Sequence, residues 1–468
     1  MPGLHNVAAA STDVLVPGLS LSAPTTASYV LDRTFTTHYP QGSNIYSPDQ
    51  GQRLMRFVIS DATRFLDLST LRLSFSLINP VDRPMYPQGD AGACWFQRVR
   101  LFVAGTLLED HMFYNRVSST HRLCKSPQRL WAESIALLGQ TTDNITDNHW
   151  QPNFCGGPSN AAIPATSRIT IVTPLHLGLL QSHYLLPGQF PLTLEIELVA
   201  NANQCCPVGA AAPADGATAA RPGLFSQNFR IENARILVDM VQCDVSINNT
   251  FVQALAAGRP LQLAASSYST TMHSVVPAGA AGNLSWDVTL SRAFSRLREV
   301  WITFDNNESR GVWGTESNNY ISWHGKPDIN VYGASNAYDP ARGEGFRFQL
   351  SCGAHLWPDI PASSHQELFY QLSKTIGMHS NTEGVSIPPG EYLGSSHIVA
   401  FDLEKLYSSP GAGFVRFTGL NTLAAGDTLR FSWQNVNPRD NFTPTRVYIT
   451  LRYDYIAELR QEGCLCLD

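Results

Sequence analysis

Charge is what this sequence has least of. Lys, Arg, Asp and Glu together make up 15% of its 468 residues, against roughly 25% in an average soluble domain. The surface must lean instead on Ser, Thr, Asn, Gln and Gly, which suits flanks that neighbours will cover. Net charge is −6 and the isoelectric point about 6.1, so bulk electrostatics do not mark a nucleic-acid binder. No stretch approaches the roughly 18 uninterrupted apolar residues of a membrane-spanning helix. The first twenty residues lack the basic start and apolar run of a signal peptide. Their segment Ala8 to Asp13 is small and polar, and residues 1–27 are expected to form a flexible arm. These absences point to a chain made in the cytoplasm or nucleus of a cell.

Cysteine is sparse as well. Nine cysteines are scattered through the chain, too few and too dispersed for a disulfide framework. Cys205 and Cys206 are adjacent, and Cys464 and Cys466 form a CxC near the end. Neither has the CxxC spacing of a zinc knuckle, so reduced thiols are expected rather than a metal at Cys464/Cys466.

Catalytic signatures are missing too. There is no phosphate-cradling GK[ST] loop, no HExxH and no GxSxG. The stretch Trp323 to Asp328 groups His324 with a lysine and an aspartate, but Gly325 and Pro327 read as a turn there. Asp359, His365 and Glu367 would make a metal trio by residue type. Their positions around a helix start favour capping instead. No catalytic, cofactor-binding or metal-ligating residue is assigned, no cofactor is expected, and the chain is not read as an enzyme.

What the chain does have is punctuation and alternation. Its 29 prolines and 34 glycines separate short runs such as Leu71 to Leu77 and Leu192 to Leu198, each with one apolar and one polar face at period 2. That is the mark of a half-buried strand. Further strands are expected at Val99 to Val103, Ile169 to Val172, Ile236 to Val241 and Val447 to Leu451. Helical signals are few, the clearest at Pro127 to Leu138 and His365 to Thr375. The second is announced by Ser364 with Glu367 three residues on, a capping box. Gly209 to Ala220 is low-complexity and reads as a loop. A long insertion at about 305–343 carries Trp313, Tyr320, Trp323, Tyr332 and Tyr338 among polar residues.

The order of strands repeats. Phe57 to Ser60 followed by Leu71 to Leu77 corresponds to Trp286 to Leu290 followed by Val300 to Phe304. Val99 to Val103, then Phe113-Tyr114, corresponds to Phe346 to Leu350, then Phe369-Tyr370. Ile169 to Val172, Leu192 to Leu198 and Arg235 to Val241 correspond to His397 to Ala400, Leu429 to Trp433 and Arg446 to Leu451. The reading is all-β: two tandem eight-stranded jelly-roll β-sandwiches with minor helices. The arm is followed by a first roll at 28–245 and a second at 246–468.

With these pieces in view the chain resembles the double jelly-roll major capsid proteins of eukaryotic DNA viruses, most nearly those of polinton-like viruses and virophages. Three places carry the resemblance. Trp95 to Glu109 runs a strand through a tight turn to a following Glu. Ala234 to Leu261 takes a closing strand through a short helical link into Leu261 to Ser267. Tyr453-Asp454-Tyr455 precedes a short end with Cys464 and Cys466. The resemblance implies a homotrimer of pseudo-hexameric outline, tiling the facets of an icosahedral shell in the virion. It also implies minor capsid and penton proteins as partners, a possible host receptor at the outer loops, and the arm lying beneath the shell. The chain is shorter than many such relatives, so their tower loops should be reduced, with the 305–343 insertion as the main tower candidate. The rival class is a jelly-roll carbohydrate-binding protein or glycan-active enzyme, whose sugar rings would stack on the aromatics between Trp313 and Tyr338.

Overall fold

The computed structural model describes residues 29–49, 51–83, 85, 90, 92–126, 163, 165–182, 184–206, 228–274, 284–305, 347–377, 385, 387, 392, 397–405, 417–423, 428–436 and 446–467. The expected arm at 1–27, the helix at Pro127 to Leu138, the loop at Gly209 to Ala220 and the insertion past Asp305, with His324, lie outside these residues.

The first set of strands is β1 (Val30–His38), β2 (Ile45–Tyr46), β3 (Leu54–Ile59), β4 (Phe65–Asp67), β5 (Arg72–Ile78), β6 (Phe96–Val103), β7 (Thr106–Met112), β8 (Arg168–Pro174), β9 (Leu185–Pro187), β10 (Leu192–Leu198) and β11 (Arg230–Cys243). The second is β12 (Leu261–Ser274), β13 (Leu284–Leu290), β14 (Leu297–Asp305), β15 (Arg347–Cys352), β16 (His355–Ala362), β17 (Val399–Asp402), β18 (Leu429–Val436), β19 (Arg446–Arg460) and β20 (Gly463–Leu467). Among the described residues three α-helices accompany them: α1 (Tyr114–Leu123), α2 (Val245–Ala256) and α3 (His365–Thr375).

Two sheets form each roll. The front sheet of the first contains β8–β5–β11 with β1 on the far side of β11, and β4, β9 and β2 as short additions. Its back sheet is β3–β10–β6–β7. The second roll repeats this order strand for strand, β17–β14–β19–β12 in front and β13–β18–β15–β16 behind, with β20 added along β19. The repeat expected from the sequence is therefore present, and the chain is a double jelly roll.

Alternation explains the sandwiches. In β10, Leu192, Leu194, Ile196 and Leu198 are buried while the intervening residues face out, each buried aliphatic contributing about 2 kcal/mol. The outward Glu195 pairs with Arg100 at 2.9 Å. The first core is filled by Phe57, Phe75, Phe96 and the tilted pair Trp95–Phe229. The second is filled by the stacked pairs Trp286–Trp433 and Phe348–Phe401.

The joints are equally local. β6 turns into β7 through Ala104 and Gly105, both at positive φ, the two-residue turn that matches strand twist. Asp244 caps α2 by accepting from the Ser246 amide at 2.8 Å. Gly258, with φ of +73°, then releases the chain into β12. The cap expected at α3 forms, with the reciprocal bond one residue earlier than in a capping box. Ser364 Oγ accepts from the Glu367 amide, and Glu367 Oε2 accepts from the Ser363 amide at 2.7 Å.

Candidate functional site

Among the described residues, a tightly bonded polar group lies where the two rolls meet. Glu109 stands on β7, at the free edge of the first back sheet, and is fully buried. Its carboxylate accepts four hydrogen bonds. Oε1 takes the Leu179 amide at 2.7 Å and the Tyr455 hydroxyl at 3.0 Å. Oε2 takes the Gly178 amide at 2.9 Å and His111 Nε2 at 3.0 Å. Gly178 and Leu179 follow β8 of the first roll, while Tyr455 stands on β19 of the second. Since the carboxylate only accepts, His111 carries its proton on Nε2. The same nitrogen lies 3.3 Å from Ser267 Oγ on β12.

Gly178 is fixed by steric contact. A Cβ built there would fall 1.3 Å from the Ser266 carbonyl oxygen of β12. Its backbone is ordinary right-handed helical, φ −65° and ψ −38°. What excludes a side chain is thus the second roll, not the torsion angles. The last strand joins the same seam: Thr106 Oγ1 donates to the Cys464 carbonyl at 2.6 Å.

Helix α1 completes the seam by lying across the front sheet of the second roll. Arg116 stacks over the Tyr448 ring at 3.8 Å and donates to Thr303 Oγ1 at 3.1 Å. His121 packs against Tyr268 and Trp301, with ring centroids 4.9 and 5.6 Å away. Burial drives the His121 pKa well below the ordinary imidazole value, and the neighbouring basic groups His176, Arg452, Lys125 and His111 add to the effect. Leu123 enters an apolar cluster with Trp301, Leu372 and Ile398.

Beside it runs a line of ion pairs: Arg452 to Glu299 at 2.8 Å, and Arg298 to Glu404 at 3.0 Å and Asp454 at 3.4 Å. Burial, with help from Glu299 and Glu404, raises the Asp402 carboxyl to about 6. All of these groups belong to the second roll, where two guanidinium groups offset part of the charge of four carboxylates. The lock between the domains is Glu109, which accepts from Gly178 and Leu179 of the first roll and Tyr455 of the second.

The residues weighed from sequence for chemistry fall elsewhere. Glu367 is consumed by the cap of α3. Cys464 and Cys466 pack against the core as partly buried side chains, and burial pushes the Cys464 thiol up to about 11. Cys205 and Cys206 are buried with sulfurs 3.9 Å apart. Among the described residues no three His, Cys, Asp or Glu side chains group as metal ligands. The loop aromatics on which the sugar-binding alternative rested lie outside the described residues. Sequence reasoning had singled out Glu109 and Tyr455 only as parts of two separate stretches. It had no means of seeing that they touch.

No family model matches the chain, and no curated protein matches it. Solved structures do. A chain of the PBCV-1 virus capsid superposes with a TM-score of 0.59 at 11% identity, covering 95% of this chain and 98% of that one. The structure of the Sputnik virophage gives 0.58 at 11% identity, with 97% and 92% covered. The Faustovirus major capsid protein gives 0.53 at 11% identity, with 97% and 94% covered. At such identities the likeness is one of fold: both rolls, in the same order, over nearly the whole of each chain.

Proposed function

We propose that this chain is a major capsid protein, which self-assembles into trimers of pseudo-hexameric outline that build an icosahedral virus shell. The observation that carries the reading is the pairing of two equivalent rolls through the Glu109 seam, in a chain that matches the capsid proteins of PBCV-1 and Faustovirus over 95% and 97% of its length. A shell subunit must transmit load between its domains without hinging. A buried carboxylate bonded from both rolls supplies that stiffness. Two like rolls in one chain also present two sets of like flanks, so three copies offer six similar blocks around a ring. The work of such a protein is burial of surface, not catalysis, and its low charge suits that work. Its place is the virion, after synthesis in a host cell. Minor capsid and penton proteins would meet the trimer flanks, and a host receptor would meet the outer loops.

The test is the mass of the purified chain by light scattering, with electron microscopy of the same sample. A particle of three times 51.4 kDa with a hexagonal outline is expected. A monomer that resists association at high concentration overturns the reading.

A further inference from the structure

Helix α1 owes its place to the second roll more than to its own sequence. Its ten residues include Asn115, Val117, Ser118, Ser119, Thr120 and His121, all weak helix formers, and a helix this short is marginal in water. It also grows out of a strained joint. Phe113, between β7 and α1, sits in the left-handed region at φ 54° and ψ 40°. A bulky residue keeps that conformation only where its surroundings impose it. Here the second roll imposes it, for the Phe113 ring packs edge-on against Tyr448 of β19 at 5.2 Å. Arg116, one turn on, covers the same tyrosine.

Further along the helix, three histidines from three segments of the first roll gather about one tyrosine of the second. His111 of β7 and His121 of α1 stand 5.6 and 4.9 Å from the Tyr268 ring of β12. His176, which follows β8, stands 5.8 Å from His121. The other groups around them are largely basic. Arg116 and Arg122 lie on α1, Lys125 lies just past it, and Arg452 of β19 stands 5.5 Å over the Tyr268 ring.

The carboxylates of this region are engaged. Glu109 beside His111 has its four donors. Glu299 of β14 accepts from Arg452 and, at 2.9 Å, from Trp301 Nε1. Asp402 of β17 stands opposite Glu299 and accepts from the Glu404 amide. Asp90 accepts from Ser118 and Arg122. A proton added to His121 would therefore place a charge in a closely packed, basic setting, and the ring's pKa is lowered accordingly.

We propose that α1 is an acid-released clasp: at neutral pH it lies pinned across the front sheet of the second roll, and protonation of His121 lifts it off while both rolls stay folded. The rolls then remain joined through the Glu109 seam. This goes beyond the assembly reading and does not depend on it. With α1 closed, the imidazole is neutral. Lifted into water, the same ring binds a proton below about pH 6.5. Opening is therefore favoured by up to about tenfold for each pH unit below that value, and gains nothing above it. Lifting α1 also frees Phe113 from Tyr448, so the strain at the joint is relieved in the same step.

Hydrogen exchange of the full chain, read by mass spectrometry and corrected for the intrinsic pH dependence of exchange, tests the clasp. Between pH 7.5 and 5.0 the amides of Ser118 to Leu123 should lose protection by up to about thirtyfold, while those of β10 and β18 keep theirs. His121→Gln, whose side chain does not titrate, should keep α1 equally protected at both values. His38→Gln, at a half-buried histidine of β1 away from the seam, should behave as wild type. Equal protection of α1 at both pH values in wild type overturns the clasp, and so does a loss shared equally by β10 and β18. A loss that persists in His121→Gln overturns the assignment to this histidine. Wild type followed in half-unit steps gives a check that needs no variant. Protection of α1 should be level above about pH 6.5 and decline below it, and a decline beginning only below about pH 5, in the carboxylate range, overturns the proposal.

Discussion

The Tyr455 hydroxyl of the second roll donates to Glu109 of the first at 3.0 Å, across 346 residues of chain. With the amides of Gly178 and Leu179 and the ring of His111, it makes the one carboxylate answerable to both rolls. Removing the acceptor leaves four donors facing a dry gap. Glu109→Ala should therefore cost about 3–5 kcal/mol and split a single calorimetric transition into two, as the rolls lose their coupling. Tyr455→Phe removes one bond and keeps the packing, so it should cost only about 1–2 kcal/mol and leave one transition. Differential scanning calorimetry of both variants checks this.

Gly178→Ala tests the seam by volume instead of charge. The added methyl meets the Ser266 carbonyl at a distance no relaxation of a side chain can relieve, since the obstacle is backbone. The rolls must part or the segment after β8 must shift, taking two donors from Glu109 with it. A loss of at least about 3 kcal/mol in urea unfolding is expected, together with faster amide hydrogen exchange along β12. An unchanged exchange pattern in β12 would show that the close approach does not hold the rolls.

How much of this was legible before the fold was known depended on burial. Strands half-buried in one roll, such as β10, carry their alternation openly, and their order revealed both sandwiches. Helix α1 carried no such signal. Its residues Tyr-Asn-Arg-Val-Ser-Ser-Thr-His-Arg-Leu have no apolar stripe, because nine of the ten are buried, polar ones included, with Arg116 reaching the second roll and Ser118 and Arg122 bonding Asp90 of the first. Strand β16 was masked by Pro358 and Pro361, which a sheet interior would reject and an edge strand tolerates. The seam was illegible for a deeper reason: Glu109, Gly178, Ser267 and Tyr455 lie far apart in sequence, and only the closed topology brings them together.

The caps make a smaller, cleaner prediction. Ser364→Ala removes the acceptor for the Glu367 amide, and Glu367→Ala removes the acceptor for the Ser363 amide. Each should cost about 1 kcal/mol. The double variant should cost less than the sum, because the two bonds brace a single turn. Urea titrations of the three variants decide it.

Acid should loosen the seam through His121. In the folded chain its imidazole is held neutral by burial against Tyr268 and Trp301, and by the basic groups His176, Arg452, Lys125 and His111 around it. The carboxylates nearest this region, Glu299 and Asp90, are already engaged by Arg452 and Arg122. In the unfolded chain the same ring takes up a proton below about 6.5. With the folded pKa depressed, the unfolded state binds the extra proton, so stability is lost as pH falls through that value. The loss is at most about 1.4 kcal/mol for each pH unit below 6.5. Asp402 works in the opposite sense. Its carboxyl, raised to about 6, is better protonated in the fold than in the unfolded chain, and this offsets part of the loss between about pH 4 and 6. Melting temperature measured at half-unit steps from pH 7.5 to 5 should fall for wild type. It should fall less for His121→Gln, whose side chain does not titrate, and more steeply for Asp402→Asn, which removes the offset. Parallel curves for wild type and His121→Gln would exclude this histidine as the source.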